Sequence, residues 1–168
     1  MEGTQPLILT LKLDNNAQMF FNDLRKQYFP PGRNFIDAHL TLFHQLPPGQ
    51  HEVFELLYEI GKQRQSFTVN VSRIVSIGNG VAFKCESDEL QKLHQYLQQQ
   101  WRQWLIPQDR QKLWPHITIQ NKVSADVAQA TLNRLLATFT PFSIKVTGFS
   151  LWKYLGGPWE FAEEFLFQ

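Results

Sequence analysis

An α+β fold with antiparallel sheet is what this sequence predicts, and three observations carry the prediction. Short alternating apolar segments read as strands, amphipathic segments between them read as helices, and Gly-containing turns return strands as hairpins in place of regular βαβ alternation. With 168 residues and 43% hydrophobic content, the chain has enough apolar surface for one buried interior.

Leu7, Leu9, Leu11 and Leu13 alternate with Ile8, Thr10 and Lys12, a first strand ending at Asp14-Asn15-Asn16, which suits a helix cap. A helix over about 17–28 follows, with Met19, Phe20, Leu24 and Tyr28 at helical spacing expected to face the core. Pro30-Pro31-Gly32 stops it and opens a loop through Arg33 and Asn34 into a strand over 36–44. After Pro47-Pro48-Gly49, the stripe Val53, Leu56, Leu57 and Ile60 marks a second helix closing near Gly61. Residues 67–77 alternate and are rich in β-branched side chains, and Gly78-Asn79-Gly80 turns them into a hairpin with 81–85.

Ser87 starts a third helix running to about Trp104, with Leu90, Leu93, Leu97 and Trp101 inward. The polar stretch 107–112 reads as a loop, 115–120 as a strand, and Ser124 as the cap of a fourth helix. Two last strands, 142–154 and 159–167, flank Gly156-Gly157-Pro158, and the Glu163-Glu164 pair breaks the alternation as a bulge would. The layout of motif strand, helix and strand occurs twice, a coarse internal duplication dividing near residues 77 to 90.

A formal net charge of +1 excludes the broad positive field that drives sequence-independent nucleic-acid binding, so any bound anion is held locally. Cys85 is the single cysteine, which excludes an internal disulfide and a cysteine-based zinc cluster and fits a reducing compartment. Glu2 stands where a signal peptide wants positive charge, Lys12 and Asp14 break the first apolar stretch, and no run of 18 to 20 apolar residues exists to span a membrane. A cytoplasmic protein is expected.

The sharpest signal is a repeated tetrad, His39-Leu40-Thr41-Leu42 and His116-Ile117-Thr118-Ile119. With about 5% Thr and 43% apolar residues, a given His precedes this pattern by chance about once in a hundred cases, yet two of the five histidines do so. In a strand, His and Thr two positions apart share a face, about 6 to 7 Å apart, while the intervening Leu or Ile enters the core. Imidazole takes or gives a proton near neutrality, and Thr offers a hydroxyl without adding charge. One tetrad alone reads more readily as a strand-end histidine bonded to backbone. Two facing one cleft place imidazoles on opposite sides of a phosphorus centre, one deprotonating a water or ribose hydroxyl and the other protonating the departing oxygen, with hydroxyls on the non-bridging oxygens. That scheme requires no metal or other cofactor.

The paired tetrads, the second led by Pro115, and the C-terminal strand, Gly-Gly-Pro turn and strand over 151–167 resemble the two-histidine (2H) phosphoesterase superfamily, which includes the LigT-like 2′-5′ RNA ligases and cyclic phosphodiesterases. The resemblance covers nearly the whole chain. It implies one bilobal domain over 1–168, with two pseudo-symmetric lobes of antiparallel sheet and flanking helices around a central cleft. It also implies His39 and His116 as general acid and base, with the assignment between them open, and Thr41 and Thr118 as phosphate ligands. Many LigT-like members carry an Arg shortly after the second motif, where this chain has Gln120-Asn121-Lys122; Lys122 is the candidate substitute, as a point charge.

Trp114 precedes His116 by two and is a candidate to stack on a base, against the plainer reading of a lid on the core. Asp37 precedes His39 by two and raises a zinc alternative with His39 and His116. His44 has opposite parity to His39 on a regular strand and reads, with His51, as a surface or supporting group. Arg25, Arg33, Arg110, Lys112 and Lys122 read as solvated surface, Gly156-Gly157-Pro158 as a turn, and Tyr154 as a candidate to close the cleft. The expected substrate is an RNA end or a small cyclic nucleotide, carrying a 2′,3′-cyclic phosphate or a 2′-5′ phosphodiester, acted on by a monomer. The alternative is a noncatalytic RNA- or nucleotide-binding module on the same scaffold.

Overall fold

The computed structural model describes residues 3–168, so Glu2, on which the signal-peptide argument leans, lies outside the described residues. In chain order the elements are β1 (Leu7–Leu13), α1 (Asn15–Tyr28), β2 (Leu40–Leu46), α2 (His51–Gln63), β3 (Phe67–Ser76), β4 (Val81–Glu86), α3 (Asp88–Gln100), β5 (His116–Gln120), α4 (Ala125–Leu136), β6 (Phe142–Tyr154) and β7 (Trp159–Leu166). Asp14, Ser87 and Ser124 cap α1, α3 and α4 by accepting the amides of Ala17, Leu90 and Val127.

Several local expectations are corrected. The buried stripe of α1 is Ala17, Phe21 and Arg25, with Leu24 and Tyr28 beside it, while Met19 and Phe20 are exposed. An apolar-only count leaves out Arg25, and without it the phase of the inward face shifts. Helix α2 runs past Gly61 to Gln63; Gly61 is where β7 crosses the helix, its Leu166 carbonyl oxygen only 2.9 Å from the place a Cβ would occupy, too close for a methyl group. Helix α3 ends at Gln100, and a 3-10 turn, Arg102–Trp104, completes the stretch expected as helix. The 107–112 loop contains a 3-10 turn, Pro107–Arg110, whose Asp109 is buried. The bulge of β7 is at Ala162, one residue before Glu163-Glu164, since Leu151 pairs with Glu163 and Trp152 with Phe161.

The strands form one seven-stranded antiparallel sheet in the order β2-β1-β6-β3-β4-β5, with β7 added on β6. That order is symmetric about the β6–β3 pair. Exchanging β1 with β4, β2 with β5 and β3 with β6 returns the same sequence of neighbours. The duplication therefore divides at the Gly78-Asn79-Gly80 hairpin, and each half lends its third strand to the other. One core cluster runs from Leu7 to Phe167 through both halves, and Leu90, Leu93, Leu97 and Trp101 of the α3 face are all in it.

The motif strands β2 and β5 are the two ends of this order, yet they touch each other. The sheet is curled until its edges meet. Helices brace the closure crosswise: Arg25 of α1 donates to the Thr118 carbonyl in the second half, and the ring of His94 in α3 bonds the Leu42 carbonyl in the first. Among the described residues no helix is long and apolar enough to cross a membrane.

Candidate active site

Each tetrad sits on its strand with the expected parity. Leu40, Leu42, Ile117 and Ile119 are buried, while His39, Thr41, His116 and Thr118 are half-buried on the other face. The ladder begins later than expected on both strands, at Leu40 and His116, because the carbonyls upstream are committed elsewhere. His39 Nδ1 lies 2.8 Å from the Asp37 carbonyl, and His116 Nδ1 lies 2.8 Å from the Trp114 carbonyl. A carbonyl only accepts, so both Nδ1 atoms carry the hydrogen and both Nε2 atoms hold the lone pair in the neutral ring.

Burial pushes the His39 imidazolium down to about 4; the Asp37 carbonyl works against this, and the positive charges of Arg25, His116 and His44 add to it. His116 is lowered for the same leading reason, opposed by the Trp114 carbonyl and reinforced by His44 and Lys84. The charge of His116 is felt at His39 and that of His44 at both, so the two imidazoles share one electrostatic neighbourhood where the edge strands meet. Burial thus favours the neutral form of both rings in the free protein, each with an Nε2 able to take a proton.

An indole packs on each imidazole. Trp114, 44% exposed, lies 4.6 Å from His116 between ring centroids, so it is not a lid on the core. Trp159, from the start of β7, lies 4.6 Å from His39. Thr41 pairs with Thr10 of β1, whose hydroxyl accepts the Trp152 indole N–H at 2.9 Å. Thr118 pairs with Ala82, a small and buried neighbour.

Two cations belong here as well: Arg25, expected as solvated surface, and Lys84, which no sequence pattern singles out. Arg25, only 5% exposed, donates to Asn34 Oδ1 and the Thr118 carbonyl, each at 3.0 Å, and lies over the Phe29 ring. Lys84 stands directly opposite His116 in the ladder, donates to the Cys85 carbonyl at 2.8 Å and lies 5.5 Å from the centre of the Trp114 ring. Burial lowers the proton affinity of both. Trp159 carries no local signal, because its place beside His39 depends on the β6–β7 hairpin; Lys84 emerges only from the β4–β5 register.

Other expected residues are less closely joined to the pair. Tyr154 ends β6 opposite Trp159 and is 41% exposed. Lys122 is exposed in a left-handed turn just after β5, at φ 63°. Asp37 serves His39 through its carbonyl, and among the described residues no three His, Cys, Asp or Glu side chains converge as metal ligands, which leaves the zinc alternative without its geometry. His44 is exposed on the face of Thr41, contrary to its parity on a regular strand, because β2 bulges at Leu42. An apolar cavity of about 640 Å³ lined by Phe20, Phe83, Phe139 and Phe142 includes no residue of either motif.

A family model described as the 2′-5′ RNA ligase superfamily matches residues 13–158. No curated protein matches the chain. Among solved structures, TT0787 of Thermus thermophilus is similar at a TM-score of 0.64 and 16% identity, over 96% of this chain and 97% of that one. Escherichia coli LigT complexed with 3′-AMP is similar at 0.62 and 20% identity, over 98% of each chain. A structure described as a phosphoesterase is similar at 0.59 and 20% identity, over 99% of each chain. At these identities the structural likenesses establish the fold.

Proposed function

The chain belongs to the 2′-5′ RNA ligase superfamily, and from that premise we propose that it is a cytoplasmic, metal-independent phosphoesterase acting on a 2′,3′-cyclic phosphate or a 2′-5′ phosphodiester of an RNA end or small nucleotide. The observation that carries the reading is the matched pair of Nδ1-to-carbonyl contacts, each 2.8 Å, which leaves two Nε2 atoms free on edge strands that meet.

In the proposed reaction the neutral Nε2 of His39, the more strongly depressed imidazole, takes the proton from a water or ribose hydroxyl. The oxygen forms its bond to phosphorus as the opposite P–O bond breaks. Protonated His116 gives its Nε2 hydrogen to the departing ribose oxygen. Thr41 and Thr118 donate to the non-bridging oxygens, and the buried Arg25 and Lys84 offset their charge. Trp114 and Trp159 offer ring faces to a base on either side, with Tyr154 and Lys122 at the rim as further substrate contacts. E. coli LigT has been crystallised with 3′-AMP and with phosphate, which supports a nucleotide phosphate as the ligand class here.

Turnover of 2′,3′-cyclic nucleoside monophosphates and a 2′-5′ dinucleotide tests the reading. His39→Ala and His116→Ala should each lose about 10²- to 10⁴-fold in rate with an unchanged circular-dichroism spectrum, and EDTA should have no effect. Full activity in either variant overturns the mechanism. The two indoles beside the imidazoles also favour a second reading, noncatalytic nucleotide binding; it predicts binding without turnover and an affinity indifferent to His39→Ala.

A further inference from the structure

Strand β2 departs from its ladder at the last residue of the first motif. Thr10 pairs with Thr41 and Leu9 with Phe43, so Leu42 is an extra residue between consecutive rungs. Phe43, opposite Leu9, is fully buried on the core side, and His44 after it is exposed on the face of Thr41. An unbroken strand would set His39 and His44 on opposite faces; the bulge at Leu42, followed by a second register shift between Phe43 and Leu46, leaves His44 exposed on the face of Thr41.

His44 is also held in orientation. Asp109, 2% exposed in the turn after α3, accepts the His44 amide at 2.9 Å on Oδ1 and the Gln45 amide at 2.9 Å on Oδ2. Oδ1 also lies 3.1 Å from His44 Nδ1. Two backbone bonds suffice to anchor that turn on β2. The third contact fixes only the ring, directing Nε2 away from the carboxylate. Positive charge at His44 lowers the proton affinity of both His39 and His116, so a charge on this ring is felt at both motif imidazoles.

The internal repeat supplies a comparison. Thr118 pairs with Ala82 and Gln120 with Val81, so Ile119 is the extra residue of a second bulge in the same place. His44 stands five residues after its motif histidine, and so does Asn121 (44 − 39 = 121 − 116 = 5). Asn121 spends its Oδ1 on the Lys122 amide at 2.8 Å. At this position of the repeat, only the first half presents an ionisable ring.

We propose that His44, oriented by Asp109, is a third substrate-facing imidazole that, as the imidazolium with Nδ1–H on the carboxylate, donates from Nε2 to a phosphate oxygen of the bound nucleotide, an inference that rests on the phosphoesterase reading above. It holds the phosphate and does not carry the reaction's proton, which the two motif imidazoles move between them. Asp109 is its positioning residue.

Steady-state kinetics on 2′,3′-cyclic nucleoside monophosphates test this with His44→Leu and His44→Gln. His44→Leu should raise KM about tenfold, the effect of one lost charge-assisted hydrogen bond, and leave kcat within about threefold. His44→Gln, which keeps a side-chain donor, should recover most of that loss. Neither should move the melting temperature, since the side chain is 44% exposed. An unchanged KM in His44→Leu overturns the proposal, and so does an equal rise in both variants. If the wild-type protein turns over none of these substrates, the phosphoesterase reading fails, and calorimetric titration with a nucleoside 3′-monophosphate decides His44 separately: weaker binding by His44→Leu supports its role, equal binding overturns it.

Discussion

At His39 and His116 the ring nitrogen nearer the backbone is occupied by a carbonyl two residues upstream, so each imidazole offers the cleft a single working nitrogen. The two differ in how hard they are to protonate, His39 being pushed down to about 4 and His116 lowered below its ordinary 6.5. Since kcat/KM follows the free enzyme, its acid limb reports loss of the neutral base and its basic limb loss of the protonated acid. A bell-shaped profile with both limbs below pH 6.5 is expected from rates measured between about pH 3.5 and 9; a basic limb above pH 7 would contradict the assignment. The tetrads were legible because strand period two and chance frequency both single them out. Arg25 was not, since a charged residue on a helix reads as surface until its partners, here the Thr118 carbonyl and Asn34, are known. His44 was hidden for a different reason: parity holds only on an unbroken strand, and no residue type marks the bulge at Leu42.

Among the elements, the β4–β5 edge bears most directly on the site, because it carries His116 and Thr118. Gly80 lies where the chain enters β4, and a Cβ there would overlap the carbonyl oxygen of Gln120 at the end of β5. Gly80→Ala should therefore lower the unfolding free energy by about 1–3 kcal/mol in urea denaturation, by forcing backbone apart at the motif strand. Gly157→Ala, at a turn position with nothing within 4 Å, should change it by about 0.5 kcal/mol or less, and equal effects would contradict this account. The Gly78-Asn79-Gly80 signal was readable as a hairpin, as were the helix caps at Ser87 and Ser124. The close approach at Gly80 was not, since it involves a strand about forty residues further on, whose register no local pattern encodes.

For the whole molecule, the duplicated layout has a consequence that neither half has alone. Each half places its motif strand at an edge, the halves exchange their third strands, and curling of the shared sheet brings the edges together. The duplication was visible in the order of elements, and the α+β class followed from it; the exchange of strands and the meeting of edges were not, because both depend on pairings between distant segments. A phosphate bound where the halves meet should be shared by them. The most direct measurement is a crystal structure with a nucleoside 3′-monophosphate. The account predicts a phosphate between the two imidazoles, with His39 Nε2 and His116 Nε2 each about 2.7–3.1 Å from a phosphate oxygen. A phosphate bound by one imidazole alone, or seated away from both, would contradict it.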